Sequence, residues 1–172
     1  MTERKKVAVV IGANGDVMTM QAAIRTLEGM NIPFEGYILS AHRTPERATE
    51  FARTARENGI GVIIAAAGKA AHLAGVMAAH TTLPVIGVPL KASDMGGMDA
   101  LLATVQMPTG VPVATVAVDG AKNAAILAAQ ILAVYDTDLA AKLAEMKAEM
   151  ADDVLKQDEM FRSGQWMLDR RK

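Results

Sequence analysis

The 172-residue chain contains no cysteine and few aromatic residues. Without cysteine it can form neither a disulfide nor a thiolate nucleophile, which fits a reducing compartment. One tryptophan, two tyrosines and three phenylalanines cannot fill a large core, so aliphatic residues and the twelve methionines must build it. The length and a hydrophobic share of 51% predict one folded domain with a sizeable interior.

The sequence also lacks a strong excess of either charge and any long hydrophobic run. A formal net charge of −1 gives no general attraction to nucleic acid. The first apolar run ends at Gly12, which makes it too short for a signal-peptide core. The alanine-rich region after residue 60 is interrupted by Lys69, His72 and His80, which argues against a membrane span. We therefore expect no nucleic-acid partner, no membrane contact and a cytoplasmic location.

Short apolar runs alternate with segments of helical periodicity along the chain. Strands are predicted at residues 7–11, 34–39, 61–66, 83–88 and 113–117, with Pro89 ending the fourth. Helices are predicted at residues 16–30, 45–57, 71–80, 98–104, 121–135 and 138–156. This alternation predicts right-handed crossovers, a parallel five-stranded sheet and a three-layer αβα sandwich. Residues 1–156 would form a single α/β catalytic domain that includes a C-terminal helix, and residues 157–172 a tail packing on a neighbouring surface.

One strand-to-helix corner, Ser-Ala-His-Arg-Thr-Pro at residues 40–45, combines reactive side chains with a helix start. Thr44 is a predicted N-cap, and Pro45 suits the first helical position. Corners at the carboxyl ends of parallel strands are where open α/β sheets bind ligands. An arginine fork and a helix N-terminus favour a phosphate, and a histidine can move a proton near neutral pH. The corner predicts an enzyme acting on a phosphorylated small molecule, with His42 moving the proton and Arg43 holding the phosphate.

Each polar residue of this corner also has a purely structural interpretation. His42 would then be a polar turn residue, and Ser40 would make a local turn hydrogen bond. Arg43 would form a salt bridge to Glu46 or Glu50 of the following helix.

Two other corners follow the first and third predicted strands and should open at the same edge of the sheet. Residues 12–16, Gly-Ala-Asn-Gly-Asp, are either a tight turn capped by Asp16 or a place where a ligand meets backbone and carboxylate. In the third corner, Lys69 is either an anion contact or a solvated side chain. His72 is either a site residue or a histidine satisfied by backbone carbonyls. The three histidines match no zinc-site spacing, so no metal is expected.

Several segments together resemble the N5-carboxyaminoimidazole ribonucleotide mutase family of purine biosynthesis. They are residues 40–45, Ala-Gly-Lys-Ala-Ala-His-Leu at 67–73, Pro-Val-Ile-Gly-Val-Pro at 84–89, Val-Gln-Met-Pro at 105–108 and the alanine-rich residues 123–132. The likeness extends from about Val7 to Leu155. It implies a flavodoxin-like αβα sandwich and a homo-octamer with sites between subunits. It also implies isomerisation of an N5-carbamate ribonucleotide to its 4-carboxylate, without metal or organic cofactor.

The resemblance assigns roles by motif to residues of this chain. His42 would be the general acid/base, Asp16 would bind the ribose, and Ser40 and Arg43 would bind the phosphate. The corner after the third strand would enclose the carboxylate or carbon dioxide. The remaining substrate-binding residues implied in this way are Gly12, Ala13, Gly68, Lys69, Ala70, His72 and Leu73.

The first corner departs from the family pattern Gly-Ser-x-Ser-Asp, because Ala13 and Gly15 stand where the family has hydroxyl residues. Each hydrogen bond lost from a charged phosphate would cost about 1.5–3 kcal/mol. A related branch, aminoimidazole ribonucleotide carboxylase, uses free carbon dioxide and typically has Ser-Ala-His-Lys, so Arg43 favours the mutase. The alternatives are that carboxylase and a non-catalytic nucleotide-binding protein.

Overall fold

Strands and helices alternate along residues 4–92 and 94–164, the part of the chain that a computed structural model describes. The strands are β1 (Lys6–Ile11), β2 (Phe34–Ile38), β3 (Ile60–Gly68), β4 (Val85–Leu90) and β5 (Ala114–Thr115). The helices are α1 (Val17–Gly29), α2 (Pro45–Thr54), α3 (Leu73–His80), α4 (Met98–Val105), α5 (Ala121–Ala133) and α6 (Thr137–Arg162). A short 3-10 turn, Asn14–Asp16, precedes α1. The predicted order of elements is confirmed.

All five strands run parallel in one sheet, in the order β2-β1-β3-β4-β5. From β1 the chain moves outward to β2, then crosses to β3 on the other side of β1 and continues to β4 and β5. Right-handed crossovers therefore place α1 on the opposite face from α2, α3 and α4. This is the three-layer, flavodoxin-like architecture predicted from the sequence, and the strand order reverses between β1 and β3.

Small and aliphatic side chains fill the space between the sheet and its helices, as the composition predicts. One buried cluster joins the sheet to α2 and α3, and it includes the fully buried Val10, Ile63 and Met77. Glycine allows a close approach at β4, where a Cβ on Gly87 would overlap the methyl group of Thr104 in α4. The close packing of α4 against the sheet therefore depends on the absence of a side chain at Gly87.

The end of β4 differs from the prediction. The sequence predicts that Pro89 ends the fourth strand, but β4 continues through it to Leu90. Proline has no N–H to donate, and at Pro89 that group would point toward the β5 side of the strand. No ladder bond is lost there, because β5 pairs only with Ile86 and Gly87 of β4. On that side the Pro89 carbonyl accepts a hydrogen bond from the Asp119 N–H, with N and O 2.9 Å apart.

Helix α6 is longer than the predicted helix. The sequence predicts an end near Lys156, whereas the helix runs on to Arg162. Ion pairs four residues apart support the added turns. Lys156 Nζ lies 2.6 Å from an Asp152 carboxylate oxygen, and Arg162 Nη1 lies 3.7 Å from one of Asp158.

The chain forms two compact units that divide between Leu132 and Ala133. Residues 165–172 of the predicted tail lie outside the described residues. The packing of that tail and a domain boundary at residue 156 therefore stay predictions. Within residues 4–92 and 94–164, no helix combines the length and the apolarity needed to cross a bilayer.

Candidate active site

Four βα corners meet at one edge of the sheet, at the carboxyl ends of β1 to β4, and line a cleft of about 520 Å³. The cleft lies where the strand order reverses, which is where open α/β sheets bind ligands. The three corners predicted to open on one edge do so. The predicted site residues that line the cleft are Gly12, Ala13, Asp16, Ser40, His42, Arg43, Gly68, Lys69, Ala70 and Leu73.

Hydrogen bonds inside residues 40–45 give the central corner a fixed shape. The Ser40 N–H donates to Thr44 Oγ1 at 3.0 Å, and the Thr44 hydroxyl donates back to the Ser40 carbonyl at 3.2 Å. Thr44 occupies the predicted N-cap position and Pro45 the first turn of α2. The Thr44 hydroxyl makes no side-chain capping bond to α2 and instead closes the loop onto Ser40 beyond the end of β2.

Arg43 connects the central corner to the corner after β1. Its backbone N–H donates to Ser40 Oγ at 3.1 Å, its Nε lies 3.4 Å from the same oxygen, and its Nη2 donates to the Gly12 carbonyl at 3.1 Å. The side chain therefore contacts the first corner, and the alternative of a salt bridge to Glu46 or Glu50 is wrong. Arg43 is exposed and its guanidinium carries five N–H donors, so donors remain for a ligand.

Asp16 places a partly buried carboxylate in the cleft. Its Oδ2 accepts a hydrogen bond from the Ala13 N–H at 3.1 Å, which closes the 3-10 turn. Burial raises the pKa of the Asp16 carboxyl, while the Ala13 N–H and the positive charge of Arg43 act in the opposite direction. The carboxylate holds the turn and also presents acceptor capacity to the cleft, where it is suited to sugar hydroxyls.

The corner after β3 follows an unusual backbone path. Lys69 has a φ of 55°, in the left-handed region, and two tight turns follow it. In these turns the Ala71 N–H donates to the Lys69 carbonyl and the His72 N–H to that of Ala70, each at 2.8 Å. The Lys69 ammonium lies 3.5 Å from an Asp94 carboxylate oxygen, but both side chains are exposed, so this pair is weak.

His72 lies outside the lining of the cleft but contacts a residue that lines it. The Nε2 atom of His42 is 2.9 Å from the Nδ1 atom of His72. The rings meet edge to face, with centroids 5.0 Å apart and an interplanar angle of 74°. Of the two interpretations of His72, the structure favours the one that connects it to the site. The third histidine, His80, ends α3, and its Nδ1 lies 2.9 Å from the Val76 carbonyl oxygen.

Sequence reasoning missed the corner that follows β4. Leu90, Lys91 and Ala92 line the same cleft, as do Ala41 and Ala67 within the corners already identified. The sequence pattern did contain the signal, because the carboxyl ends of all strands in a parallel sheet lie at the same edge.

Cations outnumber carboxylates in the lining of the cleft. Arg43, Lys69 and Lys91 accompany a single acidic residue, Asp16, although the whole chain has a net charge of −1. This local excess favours an anionic ligand. Fold and cleft together define the class, a flavodoxin-like α/β protein that presents an imidazole beside several cations at its switch point.

The AIR carboxylase family model matches residues 6–153, and the chain belongs to this family. It is 52% identical over 145 residues to the N5-carboxyaminoimidazole ribonucleotide mutase of Pyrococcus abyssi, covering 84% of this chain and 83% of that protein. It is 52% identical over 157 residues to the mutase of Bacillus subtilis, covering 90% and 97%. For the mutase of Escherichia coli the identity is 48% over 152 residues, covering 87% and 90%. The family predicted from the motifs is confirmed.

A solved structure supports the same fold. The crystal structure of Treponema denticola PurE superposes with a TM-score of 0.82 at 24% identity, covering 90% of this chain and 96% of that one.

Proposed function

We propose that this chain is an isomerase of purine biosynthesis that converts N5-carboxyaminoimidazole ribonucleotide into 4-carboxy-5-aminoimidazole ribonucleotide. Relatives that are 48–52% identical to it over most of their length carry the name of that mutase. The observation that carries the proposal is a single cleft that unites an acid/base candidate, His42, with the phosphate candidates Ser40 and Arg43 and the ribose candidate Asp16.

The central corner is suited to the phosphate. Ser40 Oγ accepts a hydrogen bond from the Arg43 backbone, which leaves its hydroxyl hydrogen to donate to an anion. The remaining N–H groups of the guanidinium and the N-terminus of α2 add positive charge at the same place. Asp16 would then accept hydrogen bonds from the ribose hydroxyls on the neighbouring corner.

The corner after β3 is suited to the migrating carboxyl group. Gly68 brings this corner close to the end of β4, because a Cβ on Gly68 would lie only 3.3 Å from the Leu90 carbonyl oxygen. Leu73 is buried and supplies an apolar wall. This apolar wall would suit carbon dioxide, while the Lys69 ammonium would attract the carboxylate before and after transfer.

Proton transfer by His42 would drive both halves of the reaction. In the first half, His42 donates a proton to the carbamate nitrogen, the N–C bond breaks with its electron pair staying on nitrogen, and carbon dioxide is released. In the second half, ring carbon C4 attacks the retained carbon dioxide and His42 removes the C4 proton. The histidine ends as it began, and no outside reagent is consumed. Holding carbon dioxide beside C4 would make recarboxylation effectively intramolecular.

Self-association as a homo-octamer, with sites between subunits, is part of the proposal. Helix α4 supports an interface, because Met98, Leu102 and Val105 follow one another at helical spacing and remain 45–52% exposed. Light scattering during size-exclusion chromatography should give eight times the mass of one chain, and a monomer mass would contradict the assembly. A cytoplasmic location also stays a prediction.

A direct assay of the purified protein tests the proposed activity. The N5-carbamate ribonucleotide is supplied without bicarbonate, and formation of the 4-carboxylate is followed. A parallel reaction contains aminoimidazole ribonucleotide with bicarbonate. Turnover in the first reaction supports the mutase, and turnover in the second alone would identify the carboxylase. Calorimetric binding of the ribonucleotides without turnover in either reaction would identify a non-catalytic nucleotide-binding protein.

A further inference from the structure

Asp119 joins the corner after β4 to the turn after β5 with two hydrogen bonds. Its carboxylate oxygen Oδ1 accepts from the Lys91 N–H at 2.9 Å. Its own N–H donates to the Pro89 carbonyl, also at 2.9 Å. Strand β5 ends at Thr115, so the Asp119 side chain supplies the acceptor that the backbone of a longer β5 would offer on this side of β4.

The backbone at Asp119 has an uncommon conformation. Its φ is 57°, in the left-handed region, where aspartate and asparagine occur more often than other residues that carry a side chain. Its carbonyl accepts a hydrogen bond from the N–H of Ala121, the first residue of α5, at 2.8 Å. The turn that holds Lys91 is therefore itself connected to the start of a helix.

The segment that begins at Lys91 returns to the same turn at Gly97. A Cβ built on Gly97 would lie 2.6 Å from Val118 Cγ1 and 3.3 Å from Lys91 Cα, and the φ of Gly97 is 92°. The absence of a side chain there lets the start of α4 approach both Lys91 and the residue before Asp119. Packing at Gly97 and hydrogen bonds at Asp119 thus hold the corner after β4 against the same turn.

The position of Lys91 places it on one particular side of the cleft. Leu90 pairs with Gly68 in the sheet, so Lys91 and Lys69 follow two paired strand ends, and both line the cleft. Arg43 follows β2, which lies three strands away from β4 in the sheet order. Lys91 therefore belongs to the side proposed for the carboxyl group and not to the side proposed for the phosphate.

The two lysines on this side differ in their partners. Within residues 4–92 and 94–164, the Lys69 ammonium lies 3.5 Å from an Asp94 carboxylate oxygen, whereas the Lys91 ammonium pairs with no carboxylate. Lys91 is exposed, so its charge is available to a ligand in the cleft.

We propose that Lys91 binds the migrating carboxyl group of the substrate and that Asp119 is a positioning residue that holds Lys91 at the cleft. This inference rests on the function proposed above. The ammonium supplies donors and a positive charge to the carbamate before transfer and to the C4 carboxylate after it. Asp119 stands outside the lining of the cleft and acts through the backbone of Lys91.

Calorimetric binding of two ribonucleotides tests the role of Lys91 without any turnover. The 4-carboxy-5-aminoimidazole ribonucleotide carries the carboxylate, whereas aminoimidazole ribonucleotide lacks it and keeps the ribose and the phosphate. Lys91→Met removes the charge and keeps an unbranched side chain. It should raise Kd for the carboxylated ribonucleotide about tenfold or more and change Kd for the other by less than about twofold. An unchanged Kd for the carboxylated ligand, or an equal loss for both ligands, would overturn this role.

Two substitutions at Asp119 separate its side-chain bond from its backbone conformation. Asp119→Gly adopts the left-handed φ but removes the acceptor, so Kd for the carboxylated ribonucleotide should rise about three- to tenfold with binding of aminoimidazole ribonucleotide unaltered. Asp119→Asn keeps both the acceptor and the tolerance of this φ, and it should bind both ligands as wild type does. The matched control is Asn31→Gly, because Asn31 has a φ of 55° and lies outside the lining of the cleft.

The control should leave both affinities unchanged. A folded Asp119→Gly protein with wild-type affinity for the carboxylated ligand would overturn the positioning role. An Asp119→Asn protein that loses as much affinity as Asp119→Gly would overturn it too.

A double-mutant cycle tests whether Asp119 acts through Lys91. In the Lys91→Met background, Asp119→Gly should cause no further loss of affinity for the carboxylated ribonucleotide. Losses that multiply would overturn the connection between the two residues. A wild-type protein that binds both ribonucleotides but converts neither the carbamate nor aminoimidazole ribonucleotide would refute the proposed function, while the selective loss in Lys91→Met would still support a carboxylate site. A wild-type protein that binds neither would refute both.

Discussion

The guanidinium of Arg43 donates a hydrogen bond to the Gly12 carbonyl, with Nη2 and O 3.1 Å apart, although the two residues are separated by 31 positions in the sequence. The two residues follow β2 and β1, which are neighbours in the sheet. The side chain of one corner therefore fixes the backbone of the next. A phosphate bound by Arg43 would meet a group that is already held in place, which reduces the entropy lost on binding.

Arg43→Lys should weaken substrate binding more than it slows the chemical step. The planar guanidinium of arginine can donate to the Gly12 carbonyl and to a phosphate at the same time. A lysine ammonium is a compact point charge and cannot reproduce this geometry. Losing one hydrogen bond to a charged group, about 1.5–3 kcal/mol, corresponds to a KM raised by about tenfold or more. Steady-state kinetics measure this, with Arg47→Lys on the exposed surface of α2 as the control. An unchanged KM would remove Arg43 from the substrate site.

His42→Asn should bind the ribonucleotide and be nearly inactive. Asparagine keeps a polar side chain of similar reach but cannot exchange a proton near neutral pH. The expected loss in kcat is about 10²- to 10⁴-fold, with calorimetric affinity for the product close to wild type. His80→Asn, at the end of α3, should retain full activity. Near-normal turnover of His42→Asn would exclude His42 from the mechanism.

Asp16→Asn should stabilise the fold near neutral pH while it raises KM. Because burial raises the pKa of the Asp16 carboxyl in the folded state, its contribution to stability is present below its unfolded pKa and is lost as pH rises through the folded pKa. The variant avoids that loss, and its amide oxygen can still accept from the Ala13 N–H. Thermal unfolding should show the Tm of the variant rising relative to the Tm of wild type as pH increases from about 3 to about 6. A variant that loses stability relative to wild type over this range would contradict the pKa shift.

Gly15→Ser should improve substrate binding by restoring a hydroxyl that the family pattern has at this position. No heavy atom lies within 4 Å of a Cβ built on Gly15, so the side chain fits without displacing anything. One new hydrogen bond to the phosphate would lower KM by up to about tenfold. Gly15→Ala adds the Cβ without the hydroxyl and should leave KM unchanged. Equal KM values for the two variants would show that the hydroxyl does not reach the substrate.

Gly87→Ala should destabilise the protein by about 1–3 kcal/mol, because the new methyl group would overlap the Thr104 methyl and lie 2.9 Å from Val113 Cγ1. Gly29→Ala, in α1, is the matched control, since no heavy atom lies within 4 Å of the added Cβ. The control should be neutral or slightly stabilising. Urea unfolding followed by circular dichroism measures both. Equal urea midpoints for the two variants would show that α4 can move away from β4 without a loss of stability.

The features predicted correctly are those encoded locally. The run Val-Ala-Val-Val-Ile at residues 7–11 predicts a strand buried on both faces, and β1 is that strand. Alternation of such runs with helical segments then fixes the parallel sheet. The sheet in turn brings the corners at Gly12, His42 and Gly68 to one edge, although they are distant in sequence. The family motifs point to the same residues.

The features predicted incorrectly depend on partners that a local pattern does not reveal. Whether Pro89 ends a strand depends on how far β5 extends beside it, and β5 has only two residues. Thr44 occupies the predicted N-cap position, but local pattern does not reveal that its hydroxyl binds Ser40 and not the first N–H groups of α2. The contact between His42 and His72 depends on the relative placement of β2 and β3, and neither histidine alone indicates it.

The nine residues of β3 occupy the middle of the sheet, between β1 and β4. Amide hydrogens in such a strand exchange with solvent only in openings that approach complete unfolding, whereas the two-residue edge strand β5 opens at far smaller free energy. Gly68 ends β3 and Lys69 follows it directly. This side of the cleft therefore keeps its shape during the fluctuations that loosen the far edge of the sheet.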